Sequence, residues 1–288
     1  MTALPGLLLD VDGPIASPVT RSISIPSILD DLVALTRAGA PIAFITGRSY
    51  DFVRDQVIAP LAQHGLLDAL AEPGARMFVV AEKGSGWAPV TAAGLGELTV
   101  DYGVALPASV VTEVRALVEA DFGDTMFFDE TKRAMISVEQ NTSVGSAEYL
   151  AQQPLFESRA FDIAVSHGIG IRYRSEERPD AAGLVPFRIE PTIISTDIES
   201  VVLDKDRGAE RALAYFSSLG PLPQSWRSVG DSRSDYLMAD HVHAVGLSAA
   251  HVDVRPADGI LDREYPIITE GDLVHDEAGA AFLRSLLQ

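Results

Sequence analysis

Apolar and polar positions follow two different regimes along this chain, and the change between them marks its organisation. A short, unbroken apolar run from Gly6 to Asp10 reads as a strand buried on both faces. From Pro26 to Ala38 the apolar residues Ile28, Leu29, Leu32, Val33 and Leu35 recur at helical spacing, and Gly39 closes the helix. Pro41 to Thr46 is a second buried strand, Tyr50 to Gln63 a second helix, and Arg76 to Ala81 a third strand. Strands alternating with helices predict a parallel sheet with right-handed crossovers.

The regime then changes. Pro107 to Phe122 reads as a helix with Val110, Val111, Val114, Leu117 and Val118 apolar. Met126 to Asp129 and Ala134 to Glu139 read as a hairpin of alternating strands. Ser146 to Arg159 reads as a helix around Pro154. Asp162 to Ser166 and Ile169 to Arg174 read as a second hairpin, turning at His167-Gly168. This is an α+β layer, and we place it as an inserted cap domain at 88–190, with Trp87 marking the hinge by its position. The first regime then resumes. Arg207 to Leu219 is a helix, Trp226 to Gly230 a strand and Ser234 to Ala239 a short helix. His243 to Leu247 and Ile267 to Thr269 are further strands, and Glu277 to Leu287 a closing helix. The expected fold is α/β: a doubly wound, Rossmann-like parallel core built from 1–87 and 191–288, interrupted by the cap.

Composition narrows the function. With 47% apolar residues among 288, the chain has ample core material. A formal net charge of -19 argues against duplex nucleic acid and anionic membranes as partners. The absence of cysteine excludes disulfides, thiolate metal sites and cysteine catalysis. No signal-peptide pattern and no spanning apolar run are visible, so a cytoplasmic protein is the expectation. Among 22 basic residues only Lys83, Lys132 and Lys205 are lysines, which makes each of them more informative.

The candidate chemistry lies at strand ends. The first strand delivers Asp10 and Asp12, and Gly13 lets the chain turn. Two carboxylates this close need a compensating cation such as Mg2+, or a shared proton. Thr46 follows the second strand, Lys205 opens a helix, and Asp231 and Asp235 follow a later strand. Taken singly these are bland: a turn, a helix N-cap beside Ser49, a solvated lysine, a capping carboxylate. Gathered around one anion and one metal, they make a phosphoryl-transfer site. Asp10 would attack phosphorus, and Asp12 would protonate the leaving oxygen and then deprotonate water. Thr46 would donate to a phosphoryl oxygen, Lys205 would neutralise the anion, and Asp231 would complete a Mg2+ site of hard oxygen ligands.

Asp10-Val11-Asp12-Gly13, Ile45-Thr46-Gly47-Arg48, Lys205 and Gly230-Asp231-Ser232-Arg233-Ser234-Asp235 resemble, in order and spacing, the four motifs of the haloacid dehalogenase superfamily of phosphatases. The long interval between Thr46 and Lys205 matches the subclass with a large α/β cap. Thr46-Gly47-Arg48-Ser49 and Ala81-Glu82-Lys83-Gly84 resemble its sucrose-, trehalose- and mannosyl-phosphoglycerate phosphatases and the related phosphomannomutases. The resemblance implies that Asp10 is nucleophile and Mg2+ ligand, and that Asp12 is acid/base with its backbone carbonyl on the metal. It implies that Asp231 is a metal ligand with Asp235 in support, and that Thr46, Gly47 and Lys205 bind the phosphate of a small substrate. A sugar phosphate is the expected substrate class, with a phosphomutase or a silent phosphate-binding protein as the alternatives. Three positions depart from the pattern: Pro14 replaces the usual Thr, Asp206 and Arg207 separate Lys205 from Gly208, and Ser234 replaces Asn.

Outside the motifs, Lys132, Arg133, Arg172, Arg174 and Arg178 form the densest basic set, either a contact for an anionic substrate or a solvated face. Glu82 and Lys83 follow the third strand and would flank the site or form a surface ion pair. His167, His241, His243 and His251 lack metal-ligand spacing and read as structural or exposed.

Overall fold

A computed structural model describes residues 4–288. The chain divides into two compact units, one reaching to Thr99 and resuming over Asp204–Gln288, the other spanning Val100–Leu203. Before the second unit come β1 (Gly6–Leu9), α1 (Pro26–Arg37), β2 (Ile42–Ile45), α2 (Tyr50–Val53), α3 (Ala59–Gln63), α4 (Leu66–Leu70), β3 (Met77–Ala81), β4 (Gly86–Thr91), β5 (Gly94–Leu95) and β6 (Thr99–Val100). A π-turn over Arg54–Ile58 joins α2 to α3, so 50–63 is one helical run. The second unit holds α5 (Ala108–Leu117), β7 (Met126–Phe128), β8 (Ile136–Gln140), α6 (Ser146–Ser166), β9 (Ile171–Tyr173), β10 (Glu176–Arg178), β11 (Phe187–Pro191) and β12 (Ser195–Ser200). After it come α7 (Lys205–Leu219), β13 (Ser225–Gly230), α8 (Tyr236–Ala244), β14 (Ser248–Asp253), β15 (Ile267–Ile268) and α9 (His275–Ser285).

The first unit is built on a sheet ordered β15-β14-β13-β1-β2-β3-β4-β5. From β15 to β3 the pairs are parallel, and β4 and β5 add an antiparallel edge. Alternation along the strands shows why they read as continuous apolar runs. Leu7, Leu9, Phe44, Val79 and Val229 pack with α1 and α9 on one face. Leu8, Ala43, Ile45, Phe78, Val80 and Trp226 pack with α7 and α8 on the other. Both faces are covered, and in β1, β2 and β3 both phases are apolar. Strand order reverses beside β1, with β2 on one side and β13 on the other, which is where such sheets open a crevice at their carboxyl ends.

The second unit has a sheet ordered β10-β9-β11-β12-β8-β7, antiparallel except for β11 beside β9. Val110, Val114, Phe122, Ile136, Tyr149, Phe156, Phe161 and Ile198 form its own core.

Several expectations need correction. Residues 162–166 belong to α6, not to a hairpin strand. Phe156, Glu157, Ala160, Phe161 and Ala164 are buried at helical spacing. Gly168 (φ +72) is the helix stop, with its N–H on the Val165 carbonyl and that of Ile169 on the Ala164 carbonyl. Residues 243–247 end α8 and turn; the strand is β14, from 248. The unit boundaries fall at 99/100 and 203/204 rather than 87/88 and 190/191. β4 pairs with β3, so Trp87 sits inside the first unit's sheet opposite Val80 and marks no hinge. β12 pairs with β8 and β11 in the second sheet. No helix among the described residues is long and apolar enough to cross a membrane.

Candidate active site

β1 ends at Leu9, and Asp10 is still tied to the sheet by its N–H to the Val229 carbonyl at 2.9 Å. The next N–H, of Val11, donates to Asp10 Oδ1 at 2.7 Å. The chain then doubles back, with the N–H groups of Ile15 and Ala16 on the Val11 carbonyl and Gly13 N–H on the Ala16 carbonyl. Gly13 takes φ +98, and a Cβ there would stand 2.6 Å from Asp231 Oδ2. Only glycine satisfies both the turn and the approach of Asp231.

Asp231 follows Gly230 at the end of β13, the strand hydrogen-bonded to β1. Asp235 organises this turn: its Oδ2 accepts from Asp231 N–H (3.1 Å), Ser232 N–H (2.9 Å) and Ser232 Oγ (2.7 Å). Lys205 is the first residue of α7, with Asp204 as N-cap. Its Nζ reaches Asp10 Oδ1 at 2.6 Å, Asp235 Oδ1 at 2.7 Å and the Ile45 carbonyl at 2.9 Å. The helix can come this close because Gly208 faces β2; a Cβ on it would lie 2.3 Å from Ile45 Cγ2. The two-residue interval between Lys205 and Gly208 therefore leaves the lysine at the centre of the acidic cluster.

Thr46 directly follows β2 and is fully buried. Its N–H donates to the Val80 carbonyl at 3.0 Å, and its Oγ1 accepts from Arg48 N–H at 3.0 Å, which leaves the hydroxyl hydrogen to donate. Ser49 caps α2 through Phe52 N–H. Asp12 stands apart from the other carboxylates. Arg48 grips it as a fork, Nε to Oδ2 at 3.0 Å and Nη2 to Oδ1 at 2.9 Å, and its guanidinium lies 4.8 Å from the Phe52 ring centre. A bidentate pair of this kind fixes the plane of the carboxylate. In the sequence Arg48 stands inside the Ile45-Thr46-Gly47-Arg48 motif, and its position two residues after Thr46 carries no separate signal of this role.

The electrostatics centre on Lys205. Burial works against its charge, but Asp10 and Asp235 outweigh that and hold the ammonium above its ordinary range. Burial would raise Asp235, yet Lys205 and the Ser232 bond bring it down. Burial first, then Asp235, hold Asp10 well above the usual carboxylate range. Burial and Asp235 likewise raise Asp231, against the pull of Arg255 and His275. Ligand oxygens of Asp10, Asp231 and Asp235 all lie within 4.8 Å of one another. Three carboxylates face one ammonium, so the cluster holds excess negative charge in a buried place. An oxygen-only donor set with that excess fits a hard divalent cation such as Mg2+. His275 Nδ1, buried and without a hydrogen-bond partner, lies 3.6 Å from Asp231 Oδ2, and Arg255 Nη1 lies 4.0 Å from the same oxygen. Neither residue stood out in the sequence.

The five basic residues of the second unit do not form one set. Lys132 and Arg133 lie between β7 and β8, at the opposite end of the sheet from Arg172, Arg174 and Arg178 on β9, β10 and the turn between them. Arg174 pairs with Glu157 and Arg178 with Glu176. Lys132 and Arg133 help line a cavity of about 160 Å3 with Arg115, Phe128 and Met135. His251 is buried, donating to or accepting from Ser228 Oγ at 2.7 Å, while His167 and His243 pair with Glu113 and Glu264.

No protein-family model and no curated protein matches the sequence. Solved structures do match the fold. The C-terminal domain of Candida albicans trehalose-6-phosphate phosphatase aligns over 98% of this chain and 92% of its own, at 13% identity and a TM-score of 0.63. A haloacid dehalogenase-like hydrolase from Bacteroides thetaiotaomicron aligns over 99% and 100%, at 13% identity and a TM-score of 0.59. N-terminally truncated IMP-nucleotidase from Plasmodium falciparum aligns over 99% of this chain and 71% of its own, at 12% identity and a TM-score of 0.55. With its acidic cluster at the carboxyl ends of β1 and β13 and its interrupted core, the chain has the fold of the haloacid dehalogenase-like hydrolases.

Proposed function

We propose that this chain is a Mg2+-dependent phosphomonoester hydrolase that works through an aspartyl phosphate, on a sugar phosphate or a similarly small phosphorylated metabolite. The observation that carries the proposal is the buried Lys205 ammonium, shared between Asp10 and Asp235 and anchored on the Ile45 carbonyl next to Thr46. A structural salt bridge needs one carboxylate; this lysine answers a cluster of three. The folds of phosphatases and a nucleotidase support the same reading.

In this reading Asp10 attacks phosphorus and the ester P–O bond breaks. The leaving oxygen takes the proton of Asp12, whose carboxyl is oriented by Arg48. Asp12 then takes a proton from water, the water oxygen attacks phosphorus, and the aspartyl O–P bond breaks to release inorganic phosphate and restore Asp10. Thr46 Oγ1–H and Lys205 bind phosphoryl oxygens, with the small Gly47 leaving room beside them. The Asp10 and Asp231 carboxylates and the Asp12 carbonyl, supported by Asp235, would hold Mg2+, which supplies charge neutralisation on the phosphoryl group. Substrate selection is assigned to the 100–203 unit.

The test is phosphate release by the purified chain across a panel of phosphorylated metabolites, with Mg2+ and with EDTA. Hydrolysis of at least one ester is expected, with loss in EDTA and a fall of roughly 1000-fold or more in Asp10→Asn. Retained turnover in Asp10→Asn would sink the mechanism. Isomerisation of a hexose phosphate without phosphate release would make the chain a mutase.

A further inference from the structure

The turn after β3 runs against backbone preference. Glu82 and Lys83 both lie in the left-handed region, at φ +48 and +52, and Gly84 follows at +102. One such non-glycine residue is uncommon; two in succession persist only where their surroundings impose it. The surroundings here are the loop after β2. Glu82 N–H donates to the Arg48 carbonyl and Lys83 N–H to the Thr46 carbonyl, each at 3.0 Å. The turn is thus fastened to both ends of Thr46-Gly47-Arg48, and Gly47 lies between the two fastenings. The Lys83 side chain runs along that glycine: a Cβ on Gly47 would stand 3.6 Å from Lys83 Cε and 3.9 Å from its Cγ.

The turn is also held from behind. Arg211 Nε donates to the Gly84 carbonyl at 2.6 Å, and the Arg211 guanidinium lies 3.7 Å from the Trp87 ring centre. A Cβ on Gly84 would meet Arg207 Cγ at 3.0 Å and the Gly208 nitrogen at 3.2 Å. The backbone of Gly208 belongs to the helix that carries Lys205. One braced assembly therefore positions two of the chain's three lysines beside the residues after β2. A lysine kept only for solubility needs no left-handed backbone. Glycine or asparagine would hold this conformation with less strain.

We propose that Lys83 is a substrate-binding residue, whose ammonium engages an anionic oxygen of the phosphorylated substrate at Gly47. This assignment rests on the phosphatase reading, and the experiment separates the two. The full chain, Lys83→Gly and Lys83→Arg are compared by thermal melting, by calorimetric titration with inorganic phosphate in the presence of Mg2+, and by steady-state kinetics on whichever ester is hydrolysed. Lys83→Gly relieves the backbone, so its Tm is expected to rise by about 2 °C. Its phosphate affinity is expected to fall about tenfold and its KM to rise similarly, with a smaller change in kcat. Lys83→Arg keeps the cation and is expected to stay within about threefold of the original affinity. Unchanged phosphate affinity in Lys83→Gly would overturn the assignment, and so would a lower Tm, which would make the lysine a packing residue. If the full chain binds phosphate but hydrolyses nothing, the phosphatase reading falls while the titration still decides Lys83. If it binds no phosphate, both fall.

Discussion

His251 shows how a single residue ties the site's scaffold to pH. Its Nδ1 meets Ser228 Oγ on the neighbouring strand, Nε2 is buried without a hydrogen-bond partner, and the ring lies 4.0 Å from that of Tyr236. Burial lowers its pKa to about 4 from the ordinary 6.5, so the folded chain keeps this imidazole neutral. The unfolded chain takes up the proton first as pH falls. The stabilisation is therefore full above pH 6.5 and is lost as pH drops from there toward about 4. The shift corresponds to roughly 3 kcal/mol across that window. His251→Gln should flatten the dependence of Tm on pH between about 6.5 and 4.5 relative to the parent chain, measured by calorimetry. Equal slopes would show that another group carries the acid sensitivity.

At the scale of elements, α7 is positioned by a missing side chain. Gly208→Ala puts a methyl group 2.3 Å from Ile45 Cγ2, against a strand fully buried on both faces. The helix must move, costing about 1–3 kcal/mol in denaturant melts. Lys205, three residues earlier, moves with it, so activity should fall by more than stability alone explains. A variant with parent stability would show that the helix has slack there. The same elements show what could be read from sequence alone. β1, β2 and β3 are visible because both faces of each are apolar, and α1 and α7 because one face is; β13 offers only Trp226 and Val229 to the core clusters. β12 is not visible: its residues Thr196, Asp197 and Glu199 are buried but polar, satisfied by Gln153 and Glu157, by Ser137, and by Arg188. Partners that distant in sequence leave no periodic trace. The end of α6 is hidden in the sequence because Asp162 to Ser166 followed by His167-Gly168 has the look of a strand and a tight turn. The carboxylates, Thr46 and Lys205 were legible through their order and spacing, whereas Arg48, Arg255 and His275 depend on how the loops fold back.

At the scale of the molecule, the two units differ in continuity. The second is one uninterrupted segment with a core drawn from its own helices and sheet. Residues 100–203 expressed alone should therefore give a dispersed amide spectrum and a cooperative melt. Residues 204–288 alone should not, because β13 loses its neighbour β1. A collapsed spectrum for 100–203 would mean that its core depends on the rest of the chain. The first unit closes the turn after β1 from far along the sequence: a Cβ on Gly279, in α9, would sit 1.9 Å from the Pro14 carbonyl oxygen. On a ribosome, the turn that carries Asp12 is made before α9 and goes without that contact for on the order of tens of seconds, until α9 has been made and has docked. A nascent chain thus holds Asp10 and Asp12 before the turn between β1 and α1 has its contact with α9, and that contact forms only after synthesis has passed through α9.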